Sequence, residues 1–280
     1  MLTEQKIAYL QEKADKMRCD VIEMLAESKS GHPGGSLSAA DIVATLYFHE
    51  MKLHDNDPVW PERDRFVLSK GHAAPILYSA LTEKGYYPHE EIFTLRKINS
   101  RLQGHPDMKK LPGVDMSTGS LGQGISASVG MALASKLEHK EWRVYALLGD
   151  GECQEGLVWE AAMAAAHYKL DNLVAFLDHN GLQIDGDITK VMNPEPLAEK
   201  WGAFGWHIIN IDGHDIQQIA DALDEARNTK GKPTMIVAKT KKGKGVYFME
   251  DKAEWHGVAP KLEEKVIALE ELNAKLACLI

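Results

Sequence analysis

Residues 147–156 read LLGDGECQEG, an apolar run that stops at a Gly-Asp-Gly turn and then becomes acidic. Glycine-rich turns after a buried strand commonly receive phosphate, with backbone N–H groups or a lysine as counter-charge. This turn carries Asp150, Glu152 and Glu155 instead. The run that leads into it opens a regular alternation: VYALLG, a helix over Val158–Tyr168, LVAFLD, a helix near Pro196–Trp201, HIINI, a helix over Ile216–Arg227, and TMIVAKT. Near-continuous apolar strands separated by helices predict an α/β fold, with a mainly parallel central sheet covered by helices on both faces.

Upstream, Ile7, Leu10, Ala14, Met17, Val21, Met24 and Leu25 recur at spacings of three and four, which predicts a long amphipathic helix ending before SKSGHPGG. That Gly/Pro/Ser stretch reads as a loop, followed by a helix with Ser38 as N-cap. RDRFVLSKGHAAPILYSALTEKG reads as a strand, a turn at Lys70-Gly71-His72 and a helix stopped by Gly85. STGSLGQG introduces the small-residue helix ISASVGMALASKLE, and LEEKVIALEELNAKLA closes the chain as a helix. With no repeat and no linker, residues 1–280 are expected to form one domain.

The 280 residues are 44% hydrophobic and 26% charged, with a formal net charge of -9. That balance argues against a broad nucleic-acid or anionic-membrane surface. Lys239, Lys241, Lys242 and Lys244 form a local basic patch, read as a solvated loop. No apolar run approaches the roughly 18 residues that span a bilayer, and MLTEQKIAYLQEK is an amphipathic helix rather than a signal peptide, so a cytoplasmic protein is expected. Cys19, Cys153 and Cys278 make an odd count with no CxxC spacing, and Cys153 reads as a space-filling residue.

In an α/β sheet, ligands bind beyond the carboxyl ends of the strands. Gly-Asp-Gly and the turn after LVAFLD, His179-Asn180-Gly181-Leu182, therefore share one mouth, with Asp150 and Asn180 thirty positions apart. A carboxylate, an amide oxygen and a backbone carbonyl suit Mg²⁺ or Ca²⁺. The acidic turn then holds a cation, and the cation holds the phosphates. Four of the twelve histidines, His32, His72, His105 and His256, sit beside glycine in predicted loops, where imidazoles can transfer protons near neutral pH. His49, His54, His89 and His139 read as surface residues, and His214 as capping the helix region that follows it.

These residues resemble the diphosphate-binding half of transketolase, a thiamine-diphosphate enzyme. The resemblance rests on GDGECQEGLVWEAAMAAAHYKLDNLVAFLDHNGLQIDG, SGHPGGSLSAADI, LSKGHAAPILYSAL, GHPDMKKLPGVDMSTGSLGQG and WHGVAP. It implies the three-layer fold that binds this cofactor, with Asp150, Asn180 and the Leu182 carbonyl as metal ligands. Gly151 and His72 would lie against the diphosphate, Gly119 and Leu121 against the aminopyrimidine, and Glu155 would link the two sites of a dimer. His32 and His256 would shuttle protons, while His72 and His105 would orient sugar hydroxyls. The implied reaction moves a two-carbon ketol unit from a ketose, a sugar phosphate, to an aldose.

Transketolases have a further pyrimidine-binding domain and a C-terminal domain, neither of which is seen in this sequence. The resemblance therefore implies an N-terminal subunit that needs a C-terminal subunit, plausibly as α2β2. Ser120 in place of Pro and Gly35-Ser36-Leu37 in place of Ala-Pro-Met depart from the commonest pattern and bear on the substrate more than on the cofactor. Three rival readings stand beside this one. They are another thiamine-diphosphate enzyme (1-deoxyxylulose-5-phosphate synthase-like or 2-oxo acid dehydrogenase α-like), a metal-dependent nucleotide-binding enzyme, and a non-catalytic diphosphate-binding subunit. The lack of GxxxxGK[ST] and GxGxxG counts against the nucleotide enzyme.

Overall fold

A computed structural model describes residues 1–278; residues 279–280 of the expected 1–280 span lie outside it. Helix α1 (Glu4–Ser28) starts at Thr3, whose Oγ1 accepts the Lys6 N–H at 3.2 Å, and its Leu10, Ala14, Met17, Val21 and Leu25 are buried. Helices α2 (Pro33–Ser38) and α3 (Ala40–Thr45) follow and run into a π turn at Leu46–Glu50. The helical region thus begins five residues before the expected Ser38 cap. Pro33 is pre-set for the first helical turn. Ser38 closes α2 instead, and its hydroxyl donates to Asp178 Oδ2 at 2.6 Å.

The remaining elements are β1 (Arg65–Leu68), α4 (Ala74–Glu83), α5 (Gln123–Leu137), β2 (Val144–Gly149), α6 (Gly156–His167) and β3 (Leu173–His179). Then come the small hairpin β4 (Leu182–Gln183) and β5 (Gly186–Asp187), α7 (Ile188–Val191), α8 (Leu197–Ala203), β6 (His207–Asp212), α9 (Ile216–Asn228), β7 (Thr234–Lys239) and α10 (Leu262–Ala277). The main sheet has the order β1-β2-β3-β7-β6 and is parallel throughout.

Strand alternation divides the apolar side chains between two cores. Tyr145, Leu147, Val174, Phe176 and Ile236 face α1, α3, α4, α9 and α10. Val144, Ala146, Leu148, Ala175, Leu177 and Val237 face α5, α6 and α8. Each fully buried aliphatic side chain contributes about 1.5–3 kcal/mol, so stability is concentrated in the sheet and the loops at its carboxyl edge are free to carry polar groups. Among the described residues no helix is long and apolar enough to cross a membrane.

One charged cluster is buried between α1 and α3. The Arg18 guanidinium, 1% exposed, bonds Asp15 Oδ1 at 2.8 Å and Asp41 Oδ2 at 2.5 Å. Burial opposes ionisation of Asp41, but Arg18 and His214 outweigh it and hold the carboxyl at about 2. Its contribution to stability is complete above the ordinary value of 3.8 and is lost as pH falls through about 2. Arg18→Met should therefore cost about 3–5 kcal/mol at neutral pH by stranding buried carboxylates. In urea unfolding the gap from the native chain should narrow as pH falls through that window. A gap that is absent at neutral pH, or constant with pH, would show that the guanidinium is not what stabilises these acids.

Candidate active site

Four parallel strands deliver their following turns to one edge of the sheet. β1 leads to Lys70-Gly71-His72, β2 to Asp150-Gly151, β3 to Asn180, and β7 to Thr240-Lys241-Lys242. With His32 ahead of α2 and the short turn Ala253–His256, they enclose a cavity of about 360 Å³. His32, His72, Gly119, Leu121, Asp150, Gly151, Glu155, Asn180, Leu182 and His256 all line it. His105, expected among the site residues, does not line the cavity: it is exposed, its ring centroid 6.5 Å from that of His32. Gly119 has φ +143°, and a Cβ there would lie 2.9 Å from the His105 ring, so only glycine lets this strand of backbone pass.

Asp150 is buried, and both oxygens accept backbone N–H groups, from Gly151 at 2.7 Å and Gly181 at 2.6 Å. Burial and the neighbouring Asp178 charge push its carboxyl up to about 6. Asn180 Oδ1 accepts the Leu182 N–H at 3.1 Å, and the Leu182 carbonyl accepts only a long bond of 3.4 Å, from Lys242 Nζ. The donor set is all hard oxygen, on the segments expected. A divalent cation there would supply the counter-charge that Asp150 lacks, so the residues fit such an ion.

Glu152 has a different task. Its carboxylate accepts Ser69 Oγ at 2.5 Å, Gly122 N at 2.9 Å and Gly149 N at 3.1 Å, tying three loops together. Burial raises its pKa. Glu155 is exposed at the head of α6, beside the Gly122 turn. Cys153 is buried and burial pushes its thiol far up, which leaves it an inert filler, as expected.

Three imidazoles form a compact group, with centroid separations of 5.3 Å for His32–His72, 5.4 Å for His32–His256 and 5.1 Å for His72–His256. Burial comes first in lowering each, followed by nearby cations: His32 to about 4, His256 to about 3, and His72 well below 6.5. Burial and Arg96 also lower His105. The group is neutral at pH 7. Lys242 Nζ donates to His256 Nδ1 at 2.8 Å, which leaves the ring proton of the neutral imidazole on Nε2.

The site also holds residues that sequence reasoning missed. Lys242, expected in a solvated patch, is only 2% exposed, and burial lowers its ammonium to about 8. Its three neighbours in that patch are less buried. Lys70, also buried, pairs with Asp178 and bonds the Gly35 carbonyl at 2.7 Å. Gln183 Nε2 and His32 Nδ1 are buried without a protein partner, and both residues line the cavity. Polar atoms left open in this way fit a polar ligand. His214 does not cap α9. Asp215 does, by accepting the Gln218 N–H at 3.1 Å, while His214 is tied to Asp41 and Lys241.

Comparison with known proteins agrees with this geometry. The family model described as "Transketolase, thiamine diphosphate binding domain" matches residues 10–274. The chain is 49% identical over 266 residues to the 6-deoxy-6-sulfo-D-fructose transketolase subunit of Clostridium sp. (strain MSTE9), covering 95% of each chain. It is 40% identical to an apulose-4-phosphate transketolase subunit of Phocaeicola vulgatus, covering 97% of this chain and 96% of that one. Human transketolase is 46% identical over 255 residues, 91% of this chain but 40% of its own length. The crystal structure of Pichia stipitis transketolase with sedoheptulose-7-phosphate superposes with a TM-score of 0.89 at 35% identity, over 96% of this chain and 41% of that one. The chain thus spans about two-fifths of single-chain transketolases and nearly the whole of the relatives named as subunits. By motif, fold and site, it belongs to the transketolase family, as a form of its thiamine-diphosphate-binding N-terminal domain.

Proposed function

We propose that this chain is the N-terminal subunit of a two-chain, cytoplasmic transketolase, a single diphosphate-binding domain that completes its site with a separate C-terminal subunit carrying the pyrimidine-binding domain. The observation that carries the reading is the convergence of Asp150, Asn180, Leu182 and three neutral histidines on one glycine-walled cavity. Bound there, thiamine diphosphate supplies the chemistry that breaks a ketose C2–C3 bond and passes the two-carbon unit to an aldose. Two relatives are named for a sulfonated and a phosphorylated sugar. A donor with an anionic terminus, phosphate or sulfonate, is the substrate class this favours.

In this reading Asp150, Asn180 and the Leu182 carbonyl hold Mg²⁺ or Ca²⁺. Gly151 and His72 lie against the diphosphate, with Lys242 adding positive charge, and Gly119 and Leu121 lie against the aminopyrimidine. His32 and His256, neutral at pH 7, exchange protons with the sugar oxygens. His72 and His105 orient hydroxyls. Exposed apolar side chains, Leu137 at the end of α5 and Met163 on α6, lie on the same helices that flank the exposed Glu155. That arrangement supports an α2β2 assembly in which Glu155 links two sites.

Four experiments test the proposal. The isolated chain should show no ketol transfer, and activity should appear when it is co-expressed with its C-terminal partner; transfer by the chain alone would sink the two-chain reading. Stripping the complex with EDTA should abolish thiamine-diphosphate quenching of tryptophan fluorescence, and Mg²⁺ or Ca²⁺ should restore it. Asp150→Asn should weaken that binding by about 100-fold or more, judged from the outer-shell losses of 10–100-fold that a direct ligand exceeds. Undiminished binding in this variant would move the metal elsewhere. Finally, His256→Ala should lower kcat by about 10²–10⁴-fold while the cofactor still binds, the range for a lost general acid or base. Loss of cofactor binding with kcat intact would reassign His256 to the cofactor alone.

A further inference from the structure

His214 lies outside the cavity, yet it makes two bonds that bear on it. Its Nε2 accepts the backbone N–H of Lys241 at 2.8 Å. Its Nδ1 sits 2.7 Å from Asp41 Oδ2, the same oxygen that Arg18 binds. A backbone N–H can only donate, so Nε2 presents a lone pair and the ring proton is on Nδ1, donated to Asp41. The imidazole is therefore fixed in one tautomer and one orientation, with its far nitrogen aimed at the residue that precedes Lys242.

The turn after β7 has other restraints as well: Gly213 N donates to Lys239 O at 2.8 Å, Lys244 N to Lys241 O at 3.2 Å, and Lys241 Nζ to Glu250 Oε2 at 3.1 Å. Thr240 N donates to His179 O at 3.1 Å, Gly243 N to Gly34 O at 3.0 Å, and Asp251 N to Lys242 O at 3.0 Å. Thr240 Oγ1 also bonds Asp178. Among the described residues, His214 is the one acceptor for the Lys241 N–H, which lies between Thr240 and Lys242. The buried Arg18–Asp41 pair anchors that restraint to α1 and α3. Gly34 lies so close that a Cβ there would be 2.8 Å from Lys242 Cγ, which confines the lysine stem from the opposite side.

We infer that His214 is a positioning residue for Lys242: anchored by Asp41 and Arg18, it holds the Lys241 backbone so that the Lys242 ammonium is aimed into the diphosphate end of the cavity. This rests on the reading of Lys242 as a charge beside the diphosphate. Lys242 also donates to His256 Nδ1 at 2.8 Å, so the effect falls first on cofactor binding and reaches turnover only through that bond.

Two variants separate the bonds. His214→Asn keeps a donor at the depth of Nδ1 for Asp41 but has nothing that reaches Lys241. His214→Gln carries an amide oxygen at the depth of Nε2. In the full chain without cofactor, competitive acetylation followed by mass spectrometry should show Lys242 reacting about tenfold faster in His214→Asn, the scale of one lost hydrogen bond, with the equally buried Lys70 unchanged. In the two-chain complex, the same variant should raise the half-saturating thiamine diphosphate about tenfold, with a fall in kcat at saturation no larger than that of Lys242→Met. His214→Gln should restore both quantities. Combining His214→Asn with Lys242→Met should be no worse than Lys242→Met alone.

Unchanged Lys242 reactivity, an unchanged cofactor constant with reduced kcat, or additive losses in the double variant would each overturn the inference and leave His214 a structural residue. If Lys242→Met binds cofactor as the native complex does, the functional reading of Lys242 fails instead. The acetylation result then still decides whether His214 positions it.

Discussion

The carboxylate of Asp178, fully buried near the end of β3, is the constraint on which the site depends. An isolated charge at that depth is untenable, and one left without its partner costs several kcal/mol. Here Lys70, Ser38 and Thr240 converge on it and, against the effect of burial, hold it below its ordinary pKa. Those three residues belong to the turn after β1, the end of α2 and the turn after β7. One carboxylate therefore fixes three segments remote in sequence to the end of a fourth, and Lys70 extends the network to Gly35. The floor of the cavity is set by electrostatics rather than by apolar packing.

Asp150 on the neighbouring strand end shows what the same chemistry does without a protein cation. Gly149 and Asp178 are paired in register, so Asp150 follows directly beside this network, yet it receives only backbone N–H groups and its carboxyl rises to about 6. Lys70 is committed to Asp178, and Lys242 bonds His256 and the Leu182 carbonyl. Of two adjacent buried acids, one is neutralised by the chain and the other is left for something else. The acidic turn in LLGDGECQEG is thus not at odds with phosphate binding. It places one unneutralised carboxylate where a divalent cation can bridge it to an anion, while Glu152 is spent on holding the loops in position.

What is legible in the sequence follows from the range of each interaction. The five strands of the main sheet, the turn at Gly71-His72, the helix stop at Gly85 and the convergence of Asp150 with Asn180 all rest on local periodicity or on the rule that parallel strands share one mouth. The start of α2 is not legible because Pro-Gly-Gly is a loop signal in isolation, whereas the buried setting of Pro33, Gly34 and Gly35 turns it into a helix. Lys242 is hidden because its neighbours in sequence are lysines with no such burial. Its approach to Gly34, more than two hundred residues away, and to Leu182 and His256 removes it from solvent. His214 is invisible for the same reason, since the partners that define it, Asp41 and Lys241, lie on different elements.

The division of labour proposed for two chains has a physical basis in the cores. Both faces of the sheet are covered by this chain's own helices, and the apolar residues of β1, β2, β3 and β7 are buried, while the edge strand β6 is only partly covered. In the two-chain reading, a second chain would not have to complete this interior; it would add a wall over the carboxyl edge. That edge is where neutral histidines, an unneutralised carboxylate and unpartnered polar atoms such as Gln183 Nε2 are gathered. Electrostatic interactions among such groups strengthen as water is excluded. A domain able to fold on its own core while keeping its chemistry at an open edge can be severed from its covering domain and lose function before it loses structure.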